Sequence, residues 1–342
     1  MKGLSILEKL DIIKRNTAEI IGVDALEKLL HEKKVPSVYL GTAITGKPHI
    51  AYFLWVLKLH DFLRAGFKVK ILLADVHGAL DNTPWNILEE RYKYYEAAIT
   101  QMLQAIEKGN KNIEIVRGSS FQSQKDYISD LLKMSTYVSV RDAKKAASDV
   151  VKNVEGEQAK LSGLIYPLMQ ALDEEYLKVD IQYGGVDQRK IFVFARENLP
   201  KLGYKSRIEV MTPLIPSLTE GGKMSASNLS SKIDLIDSEE EIRKKVNASY
   251  CMEGNPNNGI MAFLKYVLMV IKADNNETFI VKRSTKFGGD VSYDSYTKIE
   301  EDFVAKKLHP MDLKNAFAEE IISLLGRIDK NKLQKLAEKA YP

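Results

Sequence analysis

Cys251 is the only cysteine in 342 residues, so no internal disulfide can form. No apolar run reaches membrane-spanning length. Met1-Lys2-Gly3-Leu4 lacks the apolar centre of a signal peptide, and Glu8 and Asp11 come too early for an acid-poor transit peptide. These absences together predict a cytosolic, cytoplasmic protein with no membrane partner. Neither sign of charge dominates, with 50 Lys/Arg against 46 Asp/Glu. From Ser231 to Pro342 the signs balance at 18 each, so the small excess lies in the first 230 residues. Any nucleic-acid surface must therefore come from clustered rather than bulk charge. Internal repeats, low-complexity segments, a protein metal cluster and a Ser/His/Asp or Cys/His nucleophile set are also missing.

What is present reads as an ordinary globular chain, 45% hydrophobic and 28% charged. Its length suits two domains, with a boundary near residue 230. Two amphipathic helices are predicted over residues 4–34, broken near Arg15-Asn16, with Asp24 as a cap for the second. Strands are predicted at Val38–Leu40, Lys68–Asp75 and Asn112–Val116, separated by a helix from Pro48 to Arg64 and one from Thr83 to Glu107. That β-α-β-α-β order predicts an α/β fold, a Rossmann-like doubly wound parallel sheet whose strand ends, including Tyr39 and Asp75, face a ligand. A polar helical insertion covers about 119–160. Strands resume at Val179–Gln182 and Arg207–Val210, and a glycine-rich mobile loop follows over 218–228. Beyond Ser231 the pattern is mainly α-helical.

Three stretches carry chemistry. VYLGTAITGKPHIAYFLW, from Val38 to Trp55, reads as a strand, a small-residue loop and a helix opened by Pro48, an arrangement suited to anions. Gly41 to Lys47 fits seven places of the Walker A pattern, but Pro48 stands where Ser or Thr would bind Mg²⁺. A strand–helix corner with no ligand is the plainer alternative. Tyr166, Gln170 and Asp173, at i, i+4 and i+7, form a polar stripe on an otherwise apolar helix. Such groups need partners or a polar ligand when buried, unless the stripe faces solvent. Lys223-Met224-Ser225-Ala226-Ser227 lies in the glycine-flanked loop. A lysine there can reach a leaving group as charge develops, although most such lysines are simply solvated.

Taken in order, HIAY, the Tyr/Gln/Asp helix, GGVDQR and KMSAS resemble the tyrosyl-tRNA synthetases of the archaeal and eukaryotic type, a class I family. The likeness runs from about Leu29 to the segments at Lys286–Asp290 and His309–Asn315, and is most specific over Leu161–Phe192. The resemblance implies that Tyr39 and Asp173 bind the phenol hydroxyl of tyrosine. It implies that Tyr166, Gln170 and Gln188 hold the α-amino end, with Asp75 nearby. ATP would fall to Gly41, Thr42, Gly46, His49, Lys223, Met224 and Ser225, with His49 and Lys223 catalytic and Mg²⁺ arriving with the nucleotide. It further implies a homodimer formed through the insertion, which also meets the tRNA acceptor end (with Lys144, Lys145 and Arg141 as candidates on charge alone), and an anticodon-binding helical domain after Ser231 in which Asp290 touches the first base. No appended domain is expected after Pro342.

Two positions depart from the class I signatures. Tyr52 replaces the second His of HIGH, and Ala226 the second Lys of KMSKS. A monovalent cation or another lysine could supply the missing charge. Three other functions compete: a tryptophan enzyme, in which Asp173 would face an indole unpaired; an NTPase built on Lys47; and a tRNA-binding module without catalysis.

Overall fold

The computed structural model describes residues 4–106, 112–151, 159–224 and 231–342. Its centre is a six-stranded sheet of β1 (Glu19–Ile21), β2 (Ser37–Ala43), β3 (Lys68–Ala74), β4 (Ile113–Arg117), β5 (Ile181–Gly185) and β6 (Ile208–Thr212), in the order β1-β6-β5-β2-β3-β4. Five strands are parallel, as the alternating pattern predicts. The sixth, β1, is an antiparallel edge on β6, so the sheet is mixed. It falls in the supposed break between the N-terminal helices, α1 (Ile6–Lys14) and α2 (Val23–Glu32). The second helix is entered through Gly22 at φ 96°, with Asp24 inside its first turn and not at the cap.

Both sheet faces are covered, which explains the continuous apolar strands. Val38 and Leu40 enter the large core on one face, and Tyr39, between them, enters a smaller cluster with Leu72 and Ala74 on the other. Helices α3 (Tyr52–Arg64), α4 (Asp75–Leu80) and α5 (Leu88–Ile106) precede β4. The insertion supplies α6 (Ser119–Gln122), α7 (Lys125–Ser135) and α8 (Val140–Ala147). Then come α9 (Leu161–Tyr176) and α10 (Arg189–Asn198). The sheet order reverses between β2 and β5, and this is where a parallel sheet opens a crevice.

After residue 231 the chain forms α11 (Glu239–Ala248), α12 (Gly259–Phe263) and α13 (Met269–Asp274), the last two joined by a π-helical turn at Leu264–Leu268. An unpredicted hairpin, β7 (Phe279–Val281) and β8 (Val291–Tyr293), precedes α14 (Tyr296–Val304), α15 (Pro310–Leu325) and α16 (Lys330–Ala340). The large buried cluster is continuous from Leu10 through the sheet to Ala340.

An ionic clamp reinforces this continuity. Arg15, just past α1, donates from Nε to Asp61 (2.9 Å) and from its terminal nitrogens to Asp274 (2.8 and 2.7 Å). Arg64 also donates to Asp274, at 2.9 Å. Beneath them Lys58, 1% exposed, lies 3.2 Å from Asp61 and donates to the Ile13 carbonyl at 2.9 Å. Burial pushes its pKa down to about 8, against the opposing pull of Asp61. Arg15→Ala would leave buried carboxylate charge short of a partner, at a cost of about 3 kcal/mol. Thermal melting should show a fall of several degrees, and an unchanged transition would mean the clamp adds nothing.

Candidate active site

A cleft of about 790 Å³ opens over the carboxyl ends of β2 and β5. Its walls include Gly41, Thr42, Gly46, His49, Gln170, Gln182, Gln188, Lys223 and Met224. Six of the expected nucleotide residues thus meet two of the expected amino-acid residues in one space. Ser225 and Ala226 lie outside the described residues, as does the rest of the loop over 225–230.

Tyr39 and Asp173, the residues expected at the phenol end, are not among those that line the cleft. Tyr39 is in the body of β2 and not at its end, in register with Gln182 of β5. Both side chains point to one face, and Gln182 Nε2 donates to the Tyr39 hydroxyl at 2.7 Å. Gly41, two residues on, leaves open the space over the Tyr39 ring, since a Cβ there would stand 3.5 Å from it. Asp173, 1% exposed, accepts from Gln122 Nε2 at 2.8 and 3.1 Å and from the Tyr127 hydroxyl at 2.8 Å. Burial raises its pKa to about 7 even though both donors favour the carboxylate. Buried Tyr166 packs edge-on against His77, their rings 4.6 Å apart. Buried polar atoms of the same region lack partners: Gln182 Oε1, Gln122 Oε1 and His77 Nε2. Such atoms are costly when dry, and a polar ligand or water would satisfy them.

At the other end of this helix face, Gln170 Nε2 donates to Gln188 Oε1 at 3.0 Å, so the pair lines the cleft as a unit. The turn that presents Gln188 depends on Gly184, where a Cβ would fall 2.8 Å from the Phe192 ring and 3.0 Å from Gln188 Cγ. Asp75 stands apart from the cleft. It begins α4 instead of ending β3, and its buried carboxylate accepts from Arg117 (2.7 Å) and from the backbone and hydroxyl of Ser119 (2.8 and 2.7 Å). Those partners satisfy it internally, which speaks against a direct tyrosine contact.

The nucleotide side departs from the expected helix-opening proline. Residues 49 and 50 pair with the segment after the glycine-rich loop, through a bridge from His49 to Asp234 and a bond from Ile50 N to Ile233 O at 3.0 Å. Helix α3 begins only at Tyr52, beyond Pro48. The loop from Gly41 to Lys47 is therefore separated from α3 by the His49 bridge and a turn at residues 50 and 51, and the Walker A geometry, in which the helix starts directly at the loop, is absent. His49 is 4% exposed, with Nδ1 unpartnered. Burial, aided by the charge of Lys232, pushes its pKa down to about 3, so the ring works as a neutral imidazole. Tyr52 stacks edge-on against it at 5.1 Å. Its hydroxyl reaches Thr42 and Tyr95, and Tyr95 in turn donates to the Gly46 carbonyl. The residue at the second histidine position thus braces both ends of the loop.

Lys223 is held at 2.6 Å by Asp187, next to Gln188. Met224 is buried, its backbone N–H bonded to Ile215 O at 3.0 Å. Lys144 and Lys145 occupy the last turn of α8, and Ser148 and Asp149 just beyond reach the cleft wall. Asp290, in the β7–β8 connection, accepts from Arg283 N at 2.9 Å beside exposed Phe287. Among the described residues no cluster of three His, Cys, Asp or Glu side chains could hold a metal ion, and no helix is long and apolar enough to cross a membrane. Gln122, Tyr127, His77 and Gln182 escaped the sequence reading. Only Gln182 carried a signal, since strand alternation from Tyr39 and the GGVDQR segment would have found it.

Residues 31–326 match the family described as tRNA synthetases class I (W and Y), and the chain belongs to that family. Among its relatives, the cytoplasmic tyrosine–tRNA ligase of Gallus gallus is 47% identical over 98% of this chain and 63% of its own length. The Saccharomyces cerevisiae cytoplasmic tyrosine–tRNA ligase is 44% identical over 98% of this chain and 88% of its own. This chain thus spans somewhat under two thirds of the vertebrate relative. The tyrosyl-tRNA synthetase of Archaeoglobus fulgidus, solved with L-tyrosine, superposes with a TM-score of 0.87 at 36% identity, over 96% of this chain and 99% of that one.

Proposed function

We propose that the protein is a tyrosine–tRNA ligase, acting in the cytoplasm as its relatives' names indicate for them. The observation that carries this is the buried Asp173 carboxyl, whose charge acts on the buried Tyr39 hydroxyl, in a chain whose cleft is lined by His49 and Lys223. In step one a tyrosine carboxylate oxygen bonds to the α-phosphorus of ATP and the bond to the β-phosphate breaks, releasing pyrophosphate. In step two a terminal ribose hydroxyl of tRNA attacks the tyrosyl carbonyl and AMP leaves. Neither step needs a protein nucleophile, so positioning and electrostatics suffice. Asp173 accepts from the phenol hydroxyl and Tyr39 donates to it. The Gln170–Gln188 pair and Tyr166 hold the amino end. Neutral His49 and the Gly41–Gly46 loop hold the nucleotide, and Lys223 meets the leaving pyrophosphate. Mg²⁺ would enter with ATP as part of the substrate and would offset phosphate charge.

The wider assignments belong to the same proposal. Residues 1–230 form the catalytic domain and 231–342 the anticodon-binding domain, with Asp290 contacting the first anticodon base. Lys144 and Lys145 meet the acceptor end of tRNA. The insertion forms a homodimer, and exposed Ile128, Leu132, Tyr137 and Val140 on and between α7 and α8 support this. Tyrosine-dependent ATP–pyrophosphate exchange is the expected activity. Exchange with tryptophan alone would favour the tryptophan enzyme, ATP hydrolysis without amino-acid dependence the NTPase, and no exchange at all the binding module.

A further inference from the structure

We propose that Arg91 and Lys47, gathered on the ring of Tyr341, form a phosphate-binding pair at the rim of the cleft, in addition to the His49 and Lys223 machinery. This rests on the ligase reading above. Arg91 lines the cleft together with Thr45 and Gly46. It stands one helical turn before Tyr95, which holds the Gly46 carbonyl, and Lys47 is the next residue of that loop. Both cations therefore border the nucleotide side. The Arg91 guanidinium lies 3.6 Å from the Tyr341 ring centroid and donates from Nε to the Ala340 carbonyl, while Lys47 Nζ lies 5.4 Å from the same ring.

Neither cation has a carboxylate partner among the described residues. The acids next to Arg91 on α5 are engaged elsewhere, Glu89 by Arg117 and Lys93, and Glu90 by Lys93. Two like charges on one ring repel, and cation–π attraction offsets that only in part. A structural staple would be more stable with one cation or with a counter-ion, whereas a site awaiting an anion has this charge pattern. Stacking occupies the face of the guanidinium and Ala340 takes Nε. The terminal NH₂ groups have no carboxylate partner among the described residues, and guanidinium N–H groups of this kind match phosphate oxygens. The pair also adds positive charge to a chain whose loop sequence has Ala226 in place of the signature's second lysine. The phosphate could come from ATP or from the acceptor end of tRNA, and the chemistry of recognition is the same. Tyr341 acts as a positioning residue.

The test is calorimetric titration of inorganic pyrophosphate into wild-type, Arg91→Ala, Arg91→Lys, Lys47→Ala, Tyr341→Leu and Tyr341→Phe proteins, each first shown to melt cooperatively. KM for ATP in exchange and KM for tRNA in charging complete the set. Loss of a charge-assisted phosphate contact should weaken binding at least about tenfold in Arg91→Ala. Arg91→Lys should lose less, Tyr341→Leu should fall between, and Tyr341→Phe, which keeps the ring, should match wild type. Weaker pyrophosphate binding with a raised KM for ATP assigns the pair to the nucleotide. Unchanged pyrophosphate binding with a raised KM for tRNA assigns it to the acceptor end. Folded variants unchanged in all three measurements overturn the proposal. If wild type shows no tyrosine-dependent exchange but binds pyrophosphate through Arg91, the ligase reading fails and the site stands. Should Arg91→Ala not fold, Lys47→Ala and Tyr341→Leu decide the matter.

Discussion

Asp173→Ala is expected to lower kcat/KM for tyrosine by about a hundredfold, with KM for ATP within a few fold of wild type. A charge-assisted hydrogen bond in a buried site contributes about 1.5–3 kcal/mol, and here truncation also strands the Gln122 and Tyr127 donors. Equal losses for both substrates would show that the phenol end has been misplaced. The raised pKa of Asp173 gives a second readout. Its folded value, about 7, exceeds the ordinary 3.8, so the protonated acid favours the fold at low pH and that benefit is lost as pH rises through 7. Asp173→Asn, permanently neutral, should therefore raise the Tm of the ligand-free protein more at pH 8 than at pH 5. The same titration should make wild-type tyrosine affinity climb through pH 7, because the ionised carboxylate is the better acceptor for the phenol. An Asn variant with the same Tm difference at both pH values would mean the carboxylate stays ionised throughout.

Lys223→Ala should slow adenylate formation by about 10²–10³, measured in a single turnover, while leaving KM for tyrosine nearly unchanged. Lys223 rests on Asp187 in an ion pair whose lysine is about half exposed, and such pairs contribute only about 0–1 kcal/mol. Leaving Asp187 for the pyrophosphate therefore costs little. Asp187→Ala should accordingly change the rate far less than Lys223→Ala does. A comparable loss in both would indicate that the pair itself, and not the freed lysine, is what the reaction needs.

The order of strands and helices was legible because apolar runs and glycine stops are local signals. The parallel strands and α9 follow directly from that pattern. Edge strand β1 was not legible, since its three residues gain their pairing only from β6, nearly two hundred residues later. The hairpin β7–β8 was missed for the same reason of brevity. Pro48 was misread because proline is equally at home in extended chain, and the pairing of His49 with Asp234 decided between the two. At the candidate site, Tyr166, Gln170 and Asp173 stood out because one helix face carries all three. Gln122 and Tyr127 come from the insertion, where nothing local marks a residue that will hydrogen-bond to Asp173 of α9. Asp75 could be read only as an acid at a strand end, since its partners, Arg117 and Ser119, come from the neighbouring strand and the start of α6.

If the chain acts on tRNA as proposed, the Arg15 clamp has a consequence for which tRNA it accepts. It ties the end of α1 and the buried face of α3 to Asp274 at the end of α13, and the apolar cluster runs unbroken through the same region. Any bending there would expose carboxylate and hydrocarbon together. On the proposed reading the clamp would hold the cleft and the base of the helical domain at a fixed separation, so that the span of a tRNA becomes a criterion of fit before any base is read.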